Sequence, residues 1–311
     1  MTGSADSQEH MLFVGRSLPR EESFDIAGGR VVVYTAAAPA PGESDATTCG
    51  NEDAALVVSI DETKGVLAVA DGMGGRPAGE QASALTLRAI SASIREFHVA
   101  AESTGRGNGG PGDGGSGSAV RRRRRVEPNG ALREPILNGF ELANKTVGLL
   151  GLGAGTTLAV VEIDRGTIRP YHAGDSMILV VGQRGKIKLQ TVSHSPVGYA
   201  VEAGMLEASE AMHHESRHLI SNMIGTSEMR IEIGPVVDLL PKDTLLLASD
   251  GLFDNLHIEE IVDLMRRGKP ESGAQRVVEL CHTRMRGQET GSPSKPDDLT
   301  LITFRQTNSK K

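Results

Sequence analysis

Residues 66–75 read VLAVADGMGG, and residues 245–254 read LLLASDGLFD. Each stretch is a short apolar run, typical of a buried strand, that leads into an Asp-Gly pair. A carboxylate at the end of a strand can reach a bound cation. The following glycine has no Cβ, so its own carbonyl can turn toward the same ion. Asp71, Gly72 and Asp250 are therefore candidate cation ligands, although an Asp-Gly pair taken alone is also a common turn signal.

Two acidic dipeptides elsewhere in the chain, Glu52-Asp53 and Asp297-Asp298, extend this pattern. Clustered carboxylates repel one another unless protons or cations neutralise them. A site with only oxygen ligands favours hard cations such as Mg²⁺ or Mn²⁺. A pair of such ions about 3.5–4 Å apart commonly promotes the attack of water on a phosphate ester. The spacing in the sequence does not show whether these carboxylates converge.

Strands and helices are predicted in separate groups rather than in alternation, which favours an α+β fold with two antiparallel sheets flanked by helix pairs. The four strands between residues 156 and 191 are close together, so we expect one antiparallel meander there. The periodicity of apolar residues predicts strands at 31–34, 54–60, 66–70, 156–163, 167–173, 177–181, 186–191, 230–236, 244–248 and 299–304, and helices at 78–97, 132–150, 258–265 and 274–285.

The chain divides into a tail, one domain and an insertion. We expect residues 1–28 to form a flexible N-terminal tail and residues 29–307 a single domain with a disordered insertion at about 101–130. Eight of the sixteen residues in 103–118 are glycine, and five arginines follow at 121–125. Such a segment cannot bury enough apolar surface to offset its ordering entropy. The arginines form either a solvated basic loop or a docking site for an acidic partner or a phosphorylated substrate.

The composition argues against several classes of protein. A net charge of −7 makes nucleic acid an unfavourable main partner. No apolar run approaches the roughly 18 residues of a membrane span, and the polar N-terminal stretch lacks the apolar centre of a signal peptide. The two cysteines, Cys49 and Cys281, cannot build a disulfide framework, so we expect two reduced thiols. We expect a cytoplasmic monomer without a nucleic-acid or membrane partner.

An ordered series of short motifs runs through most of the chain. The motifs are Asn51-Glu52-Asp53, Asp71-Gly72-Met73-Gly74-Gly75, Gly79-Glu80, Gly155-Thr156-Thr157, Gly174-Asp175-Ser176, Ala248-Ser249-Asp250-Gly251 and Asp297-Asp298-Leu299-Thr300. In this order they resemble the signature of the metal-dependent Ser/Thr protein phosphatases of the 2C type, and the chain is similar to a bacterial member. The resemblance covers about residues 30–305, apart from the insertion. It implies a four-layer α-β-β-α sandwich, which agrees with the grouping of the predicted strands and helices.

The resemblance also implies an activity and a set of metal ligands. The protein would hydrolyse phosphoserine and phosphothreonine in proteins, including the substrates of a Ser/Thr kinase, with two Mg²⁺ or Mn²⁺ ions. A water molecule between the ions would attack phosphorus without a phosphoenzyme. Asp71 would bridge the ions, and Asp175 would bind a third, looser ion. The implied metal ligands are Glu52, Asp53, Asp71, Gly72, Asp175, Asp250 and Asp297.

Some positions depart from that family. Thr48 stands where the family has an arginine that grips the substrate phosphate, and Arg76 is our candidate replacement. Met73 stands where some members carry a histidine thought to be the general acid, so no acid is assigned. His172 and Asp254 receive no role. The missing arginine leaves an alternative open: a catalytically weak module with the phosphatase fold that binds phosphoproteins.

Overall fold

Fourteen strands and seven helices make up the described part of the protein. The computed structural model describes residues 9–15, 19–39, 50–75, 78–105, 132–151 and 153–307, with the backbone alone for 101–105. The strands are β1 (Glu9–Val14), β2 (Arg20–Ile26), β3 (Gly29–Ala36), β4 (Asp53–Ser59), β5 (Lys64–Met73), β6 (Gly155–Thr156), β7 (Leu158–Asp164), β8 (Thr167–Ala173), β9 (Met177–Val181), β10 (Ile187–Gln190), β11 (Glu232–Ile233), β12 (Val237–Asp238), β13 (Thr244–Ala248) and β14 (Leu299–Gln306). The helices are α1 (Ala78–Gly105), α2 (Arg133–Gly148), α3 (Pro196–Glu202), α4 (Ala208–Ala211), α5 (Asp250–Phe253), α6 (Ile258–Met265) and α7 (Pro270–Met285).

The strands form two antiparallel sheets. The first has the order β1-β4-β5-β7-β8-β11, with β6 beside β5 and β12 beside β8. The second has the order β10-β9-β13-β14-β3-β2. Helices α1 and α2 cover the outer face of the first sheet, and α6 and α7 cover the outer face of the second. This is the α-β-β-α sandwich that the sequence predicted.

Alternating side chains supply three layers of apolar core. In β4, Ala55 and Val57 face the second sheet, whereas Leu56 and Val58 face the helices. This alternation follows from the period of two in a strand. Apolar side chains cover both faces of each sheet. The carboxylates of the sequence motifs lie at the ends of the strands instead.

Residues 9–14 and 20–26 form strands β1 and β2, so the predicted flexible tail is wrong for these residues. Strand β1 pairs with β4 along its whole length, and β2 pairs with β3. Phe13 is only 1% exposed and belongs to the core between the sheets. The guanidinium of Arg20 stacks over its ring at 4.3 Å. Strand β2 lies at a sheet edge with one face exposed to solvent. It therefore carries charged residues, and its sequence lacks the apolar run that would predict a strand.

The predicted four-stranded meander is also wrong, because it is divided between the sheets. Strands β7 and β8 pair in the first sheet, and β9 and β10 pair in the second. The chain crosses between the sheets at Gly174-Asp175-Ser176, where Gly174 has a φ of 116°. Glycine adopts this conformation without a steric penalty. The crossing therefore places Asp175 where the two sheets meet.

Two other boundaries differ from the prediction. The strand expected at 230–236 is reduced to β11 and β12, which pair with β8 on either side of a Gly-Pro step. Helix α1 continues to Gly105, five residues into the predicted insertion. Residues 106–131 lie outside the described residues. In the parts of the chain that are described, no helix combines the length and hydropathy that a membrane crossing requires.

Candidate metal centre

Strand pairing brings the first two carboxylates together. Asp53 at the start of β4 lies directly opposite Asp71 near the end of β5. Residues paired in this way carry their side chains on the same face of the sheet, with Cβ atoms about 4.5–5.5 Å apart. Asp53 is 2% exposed, and its Oδ2 accepts a hydrogen bond of 2.7 Å from Ser249 Oγ. Ser249 precedes Asp250, so this bond joins the end of β13 to the Asp53–Asp71 pair.

Threonines of the Gly155-Thr156-Thr157 motif fix the backbone of Asp71. Thr156 Oγ1 and Thr157 N donate to the carbonyl of Asp71 at 2.8 and 2.9 Å, and Asp71 N donates to Thr157 Oγ1 at 3.0 Å. Gly72 N donates to the carbonyl of Glu52 at 3.2 Å. A Cβ on Gly72 would overlap the backbone of Gly79 and crowd the carbonyl of Glu52. Only glycine fits this cradle.

Asp298 ties the remaining strand ends to the site. Its Oδ1 accepts from Ala38 N at 2.7 Å, and its Oδ2 accepts from Glu52 N at 2.6 Å. Asp298 is only 8% exposed. A Cβ on Gly251 would overlap the carbonyl of Asp298, so the Asp250-Gly251 turn lies against the Asp297-Asp298 pair. Asp298 therefore holds the backbone of Ala38 and Glu52, and its charge also raises the pKa of the buried Asp53, after the effect of burial. Asp297 is the member of the pair whose pKa the charge of Asp250 raises, after the effect of burial.

Because the carboxylates lie close together, their charges raise the pKa values of Asp71, Asp175 and Asp297. Burial, then the charge of Asp53, raises the pKa of Asp71 well above its ordinary range, and Asp250 and Asp175 add to this. Burial, then the charge of Asp250, raises the pKa of Asp175 to about 8. The same two causes raise the pKa of Asp297 to about 6. A site that disfavours several negative charges at once attracts cations.

One buried oxygen of this cluster lacks a hydrogen-bond donor among the described residues. Asp175 Oδ1 is buried and accepts no hydrogen bond from any residue that the structure describes. Buried oxygens are normally satisfied, and an exception calls for a bound ion or water. The donor atoms around it are oxygens, as hard divalent cations prefer. The sequence-derived ligands Asp53, Asp71, Asp175, Asp250 and Asp297 thus share one site, and Glu52 is bound to its edge through its backbone.

A lysine that the sequence did not indicate lies inside the cluster. Lys295 Nζ lies 2.7 Å from Asp250 Oδ2, 2.7 Å from Asp254 Oδ2 and 3.0 Å from Asp297 Oδ2. The three carboxylates raise the pKa of Lys295 against the effect of its burial. Asp254, to which the sequence assigned no role, is therefore part of the site. A single lysine in a loop has no periodicity that would reveal it.

A cavity of about 440 Å³ opens beside the acidic cluster. Asp175, Asp250 and Asp254 line it together with apolar residues of α3 and α4. Arg217 also lines it and donates to the carbonyl of Met212. Thr48 and Arg76, the positions considered for gripping phosphate, lie outside the described residues. Arg217 is thus a described cation that lines the cavity beside the acidic cluster.

Two histidines support the Asp175 crossing. Within the described residues, His172, His194 and Glu232 also have possible ligand atoms that lie within 4.8 Å of one another. His194 Nδ1 accepts from Gly174 N at 3.1 Å and from Asn222 Nδ2 at 2.9 Å. Its proton is therefore on Nε2, which lies 3.0 Å from Glu232 Oε2. A neutral ring bonded in this way has no lone pair left for a metal. His172 stacks on His194 at 4.3 Å, so the pair supports the crossing.

Cys281 is a core residue, as the sequence predicted. It lies on α7, is completely buried and donates its S–H to the carbonyl of Gly251 at 3.3 Å. Burial raises the pKa of its thiol to about 12. A thiol with this pKa is not a nucleophile at neutral pH. Cys49 lies outside the described residues.

A match to a known family follows the same strands and motifs. The model of the family described as Protein phosphatase 2C matches residues 47–281. The chain belongs to this family. Protein phosphatase PhpP of Streptococcus pneumoniae serotype 2 is 30% identical over 212 residues, which make up 66% of this chain and 74% of PhpP. The resemblance stated from the motifs is thereby confirmed.

Solved structures of protein phosphatases have the same fold. The PPM Ser-Thr phosphatase MsPP from Mycobacterium smegmatis, solved in complex with cacodylate, has a TM-score of 0.63 at 24% identity and covers 89% of this chain and 98% of its own. The catalytic domain of PstP, solved with two manganese ions, has a TM-score of 0.60 at 22% identity and covers 89% and 97%. These similarities confirm the predicted α+β sandwich.

Proposed function

We infer that this protein is a metal-dependent protein Ser/Thr phosphatase of the 2C family. The observation that carries the inference is the convergence of Asp53, Asp71, Asp175, Asp250 and Asp297 from different strand ends into one cluster, in which Asp53 is buried and the other four are partly buried. Clustered carboxylates repel one another unless protons or cations neutralise them, and within the described residues Lys295 pairs with Asp250 and Asp297 but not with Asp53, Asp71 or Asp175. Membership in the family gives that cation a role in the hydrolysis of phosphate esters.

The residues present fit divalent metal ions, and we propose Mg²⁺ or Mn²⁺. Asp71 would be shared between two ions, with Glu52, Asp53 and the carbonyl of Gly72 on one side and Asp250 and Asp297 on the other. Asp175 would hold a third, looser ion. When bound, such ions activate a water molecule for attack on phosphorus and offset the charge of the phosphate group.

The protein's own groups determine how rigid this centre is. Ser249 Oγ holds Asp53, and the two threonines after Gly155 hold the backbone of Asp71. Preorganised ligands avoid the cost of rearrangement during the reaction. Cys281 is buried with a raised thiol pKa, which supports direct attack by water rather than a cysteinyl intermediate. We propose that Arg217, or Arg76 as the sequence suggested, contacts the substrate phosphate.

The substrates and setting are also part of this proposal. We propose phosphoserine and phosphothreonine in proteins, including the targets of a Ser/Thr kinase, as substrates in a cytoplasmic signalling pathway. A net charge of −7 supports a protein that binds neither nucleic acid nor anionic membrane surfaces. We propose that the protein is a monomer, which light scattering after size-exclusion chromatography would check.

Hydrolysis of p-nitrophenyl phosphate and of a phosphothreonine peptide tests the function. We expect turnover that requires Mg²⁺ or Mn²⁺ and stops in excess chelator. Asp71→Asn should lower turnover by about a hundredfold or more, because it removes the charge shared by both ions. Asp238→Asn, at an exposed position in β12, is the matched control and should behave like the wild type. Binding of the phosphopeptide without turnover would instead favour the non-catalytic binding module.

A further inference from the structure

The ammonium group of Lys295 uses all of its donors on the acidic cluster. Its three ion pairs, with Asp250, Asp254 and Asp297, measure 2.7, 2.7 and 3.0 Å. A lysine ammonium has three N–H donors and no acceptor, so these three carboxylates satisfy it completely. The Lys295 side chain is 24% exposed. It is therefore a partly shielded cation in contact with two of the proposed metal ligands.

A fully buried asparagine fixes the backbone of Lys295. Lys295 N donates to Asn255 Oδ1 at 2.8 Å, and Asn255 Nδ2 donates to the carbonyl of Lys295 at 2.8 Å. The same Nδ2 donates to the carbonyl of Gly251 at 2.8 Å. Lys295 is thus fixed relative to the residue that follows Asp250. Its position is determined by buried structure rather than by a loose surface contact.

A lysine ammonium and a metal ion compete for the same carboxylate oxygens. A metal ion that uses Asp250 Oδ2 or Asp297 Oδ2 approaches an oxygen that already accepts from the ammonium, and the neighbouring positive charge opposes its binding. Within the described part of the chain, the ion pairs of Lys295 include neither Asp53 nor Asp71. An ion held by those two residues meets less competition from the lysine.

We propose that Lys295 competes with the metal ion held by Asp250 and Asp297, so that two ions bind this protein with unequal affinity. The proposal rests on the proposed function, because it assumes that the cluster is a metal centre. The ion near Asp53 and Asp71 binds first. The second ion fills its position only at a higher metal concentration, and it displaces the ammonium from Asp250 and Asp297.

Calorimetric titration with Mn²⁺ alone tests the proposal without measuring turnover. The wild type should show two binding events whose affinities differ by about tenfold or more. In Lys295→Met, which keeps the length of the side chain but not its charge, the weaker event should tighten by about tenfold or more. That factor corresponds to the loss of one charge-assisted hydrogen bond. Lys295→Arg keeps the charge and should retain the affinity gap.

Lys188→Met is the matched control. Lys188 forms an ion pair with the buried Asp243 and is also 24% exposed, but it lies on β10 and outside the cluster. Its removal should leave both affinities unchanged. Equal affinities in the wild type, or an unchanged weaker event in Lys295→Met, would overturn the proposal while the metal centre stands. Binding of no ion by the wild type would instead reject the proposed function, and the proposal with it.

A second measurement covers the case in which Lys295→Met does not fold. Mg²⁺ is added to wild-type protein with isotope-labelled lysines, and the Lys295 side-chain NMR signal is identified by its loss in Lys295→Arg. We expect the signal to stay in place during the first equivalent of Mg²⁺ and to shift with the second. A signal that does not move at saturating Mg²⁺ contradicts displacement of the ammonium.

Discussion

At the scale of single residues, close backbone contacts hold the candidate metal centre together. Gly72 is the clearest example, because a Cβ there would overlap the backbone of Gly79 and crowd the carbonyl of Glu52. These are backbone groups, which cannot shift away as the end of a flexible side chain can. The absence of one Cβ therefore allows β4, β5 and the start of α1 to meet beside Asp71.

Gly72→Ala should destabilise the protein by about 2 kcal/mol or more, because overpacking of a tight site typically costs about 1–3 kcal/mol. Urea unfolding measures this. Phosphatase turnover should fall even where the variant is folded, since Glu52 and Asp71 have to move apart. Gly182→Ala is the control, because a Cβ there meets only ordinary van der Waals contacts and its φ is not positive. Equal stability of the two variants would contradict this reading of the cradle.

The carboxylates could be predicted from the sequence, but the lysine could not. Asp71 and Asp250 each follow a short apolar run, and a charge at the end of a buried strand is a signal that one sequence contains. Lys295 lies in a loop without periodicity, and only the fold brings its ammonium to Asp250. The convergence of the cluster likewise depends on strand register, which residue spacing does not specify.

At the scale of elements, β1 and β2 extend both sheets with residues that the sequence assigned to a tail. Strand β1 adds an edge to β4, and one face of it lies against α1. His10 of β1 shows this contact, because its Nδ1 lies 2.7 Å from Ser91 Oγ of α1. Burial, then the positive charge of Arg95, lowers the pKa of His10 from 6.5 to about 4.

This histidine should make the fold sensitive to acid. Because its pKa in the folded state is lowered, its contribution to stability is present above pH 6.5 and is lost as the pH falls toward 4. Between pH 7 and pH 5, we expect the free energy of unfolding of His10→Gln to fall by about 1–2 kcal/mol less than that of the wild type, after allowance for solvent screening. Urea unfolding at both pH values measures the difference. His213→Gln, at an exposed position, should follow the wild type, and an identical slope for His10→Gln would mean that β1 does not bury this ring.

The division of the predicted meander between two sheets shows that the length of a connection does not predict strand pairing. Strands β8 and β9 are separated by only Gly174, Asp175 and Ser176, a spacing that is typical of a hairpin. The chain nevertheless crosses to the other sheet, because Val180 of β9 packs between the sheets and β9 pairs with β13. A short connection specifies that two strands are close. It does not specify that they pair.

At the scale of the whole molecule, the site lies on the seam between the two sheets. Asp53 and Asp71 come from the first sheet, Asp250 and Asp297 from the ends of the second, and Asp175 from the crossing between them. Ser249 and Asp298 bond across this seam to Asp53 and to the backbone of Glu52. The site therefore depends on the docking of both sheets, and segments far from the seam should matter little for turnover of small substrates.

The glycine- and arginine-rich insertion offers the last test of this view. Ser93 of α1 donates to the carbonyl of Pro135 at 2.8 Å, and α1 continues twelve residues past it to Gly105, or about 18 Å. A seven-residue link, 126–132, can span about 23 Å. Deletion of residues 106–125 therefore leaves enough chain to join the helices. We expect an unchanged unfolding midpoint and unchanged hydrolysis of p-nitrophenyl phosphate.

The matched control for this deletion keeps its full length and replaces only the five arginines at 121–125 by serine. If these arginines capture acidic or phosphorylated proteins, both variants should lose turnover of a phosphoprotein, and the loss should shrink at high salt because screening removes the same attraction from the wild type. If they form a solvated loop, both variants should match the wild type on every substrate. Unfolding of the deletion variant would contradict the separation of the insertion from the fold, since the remaining link is long enough.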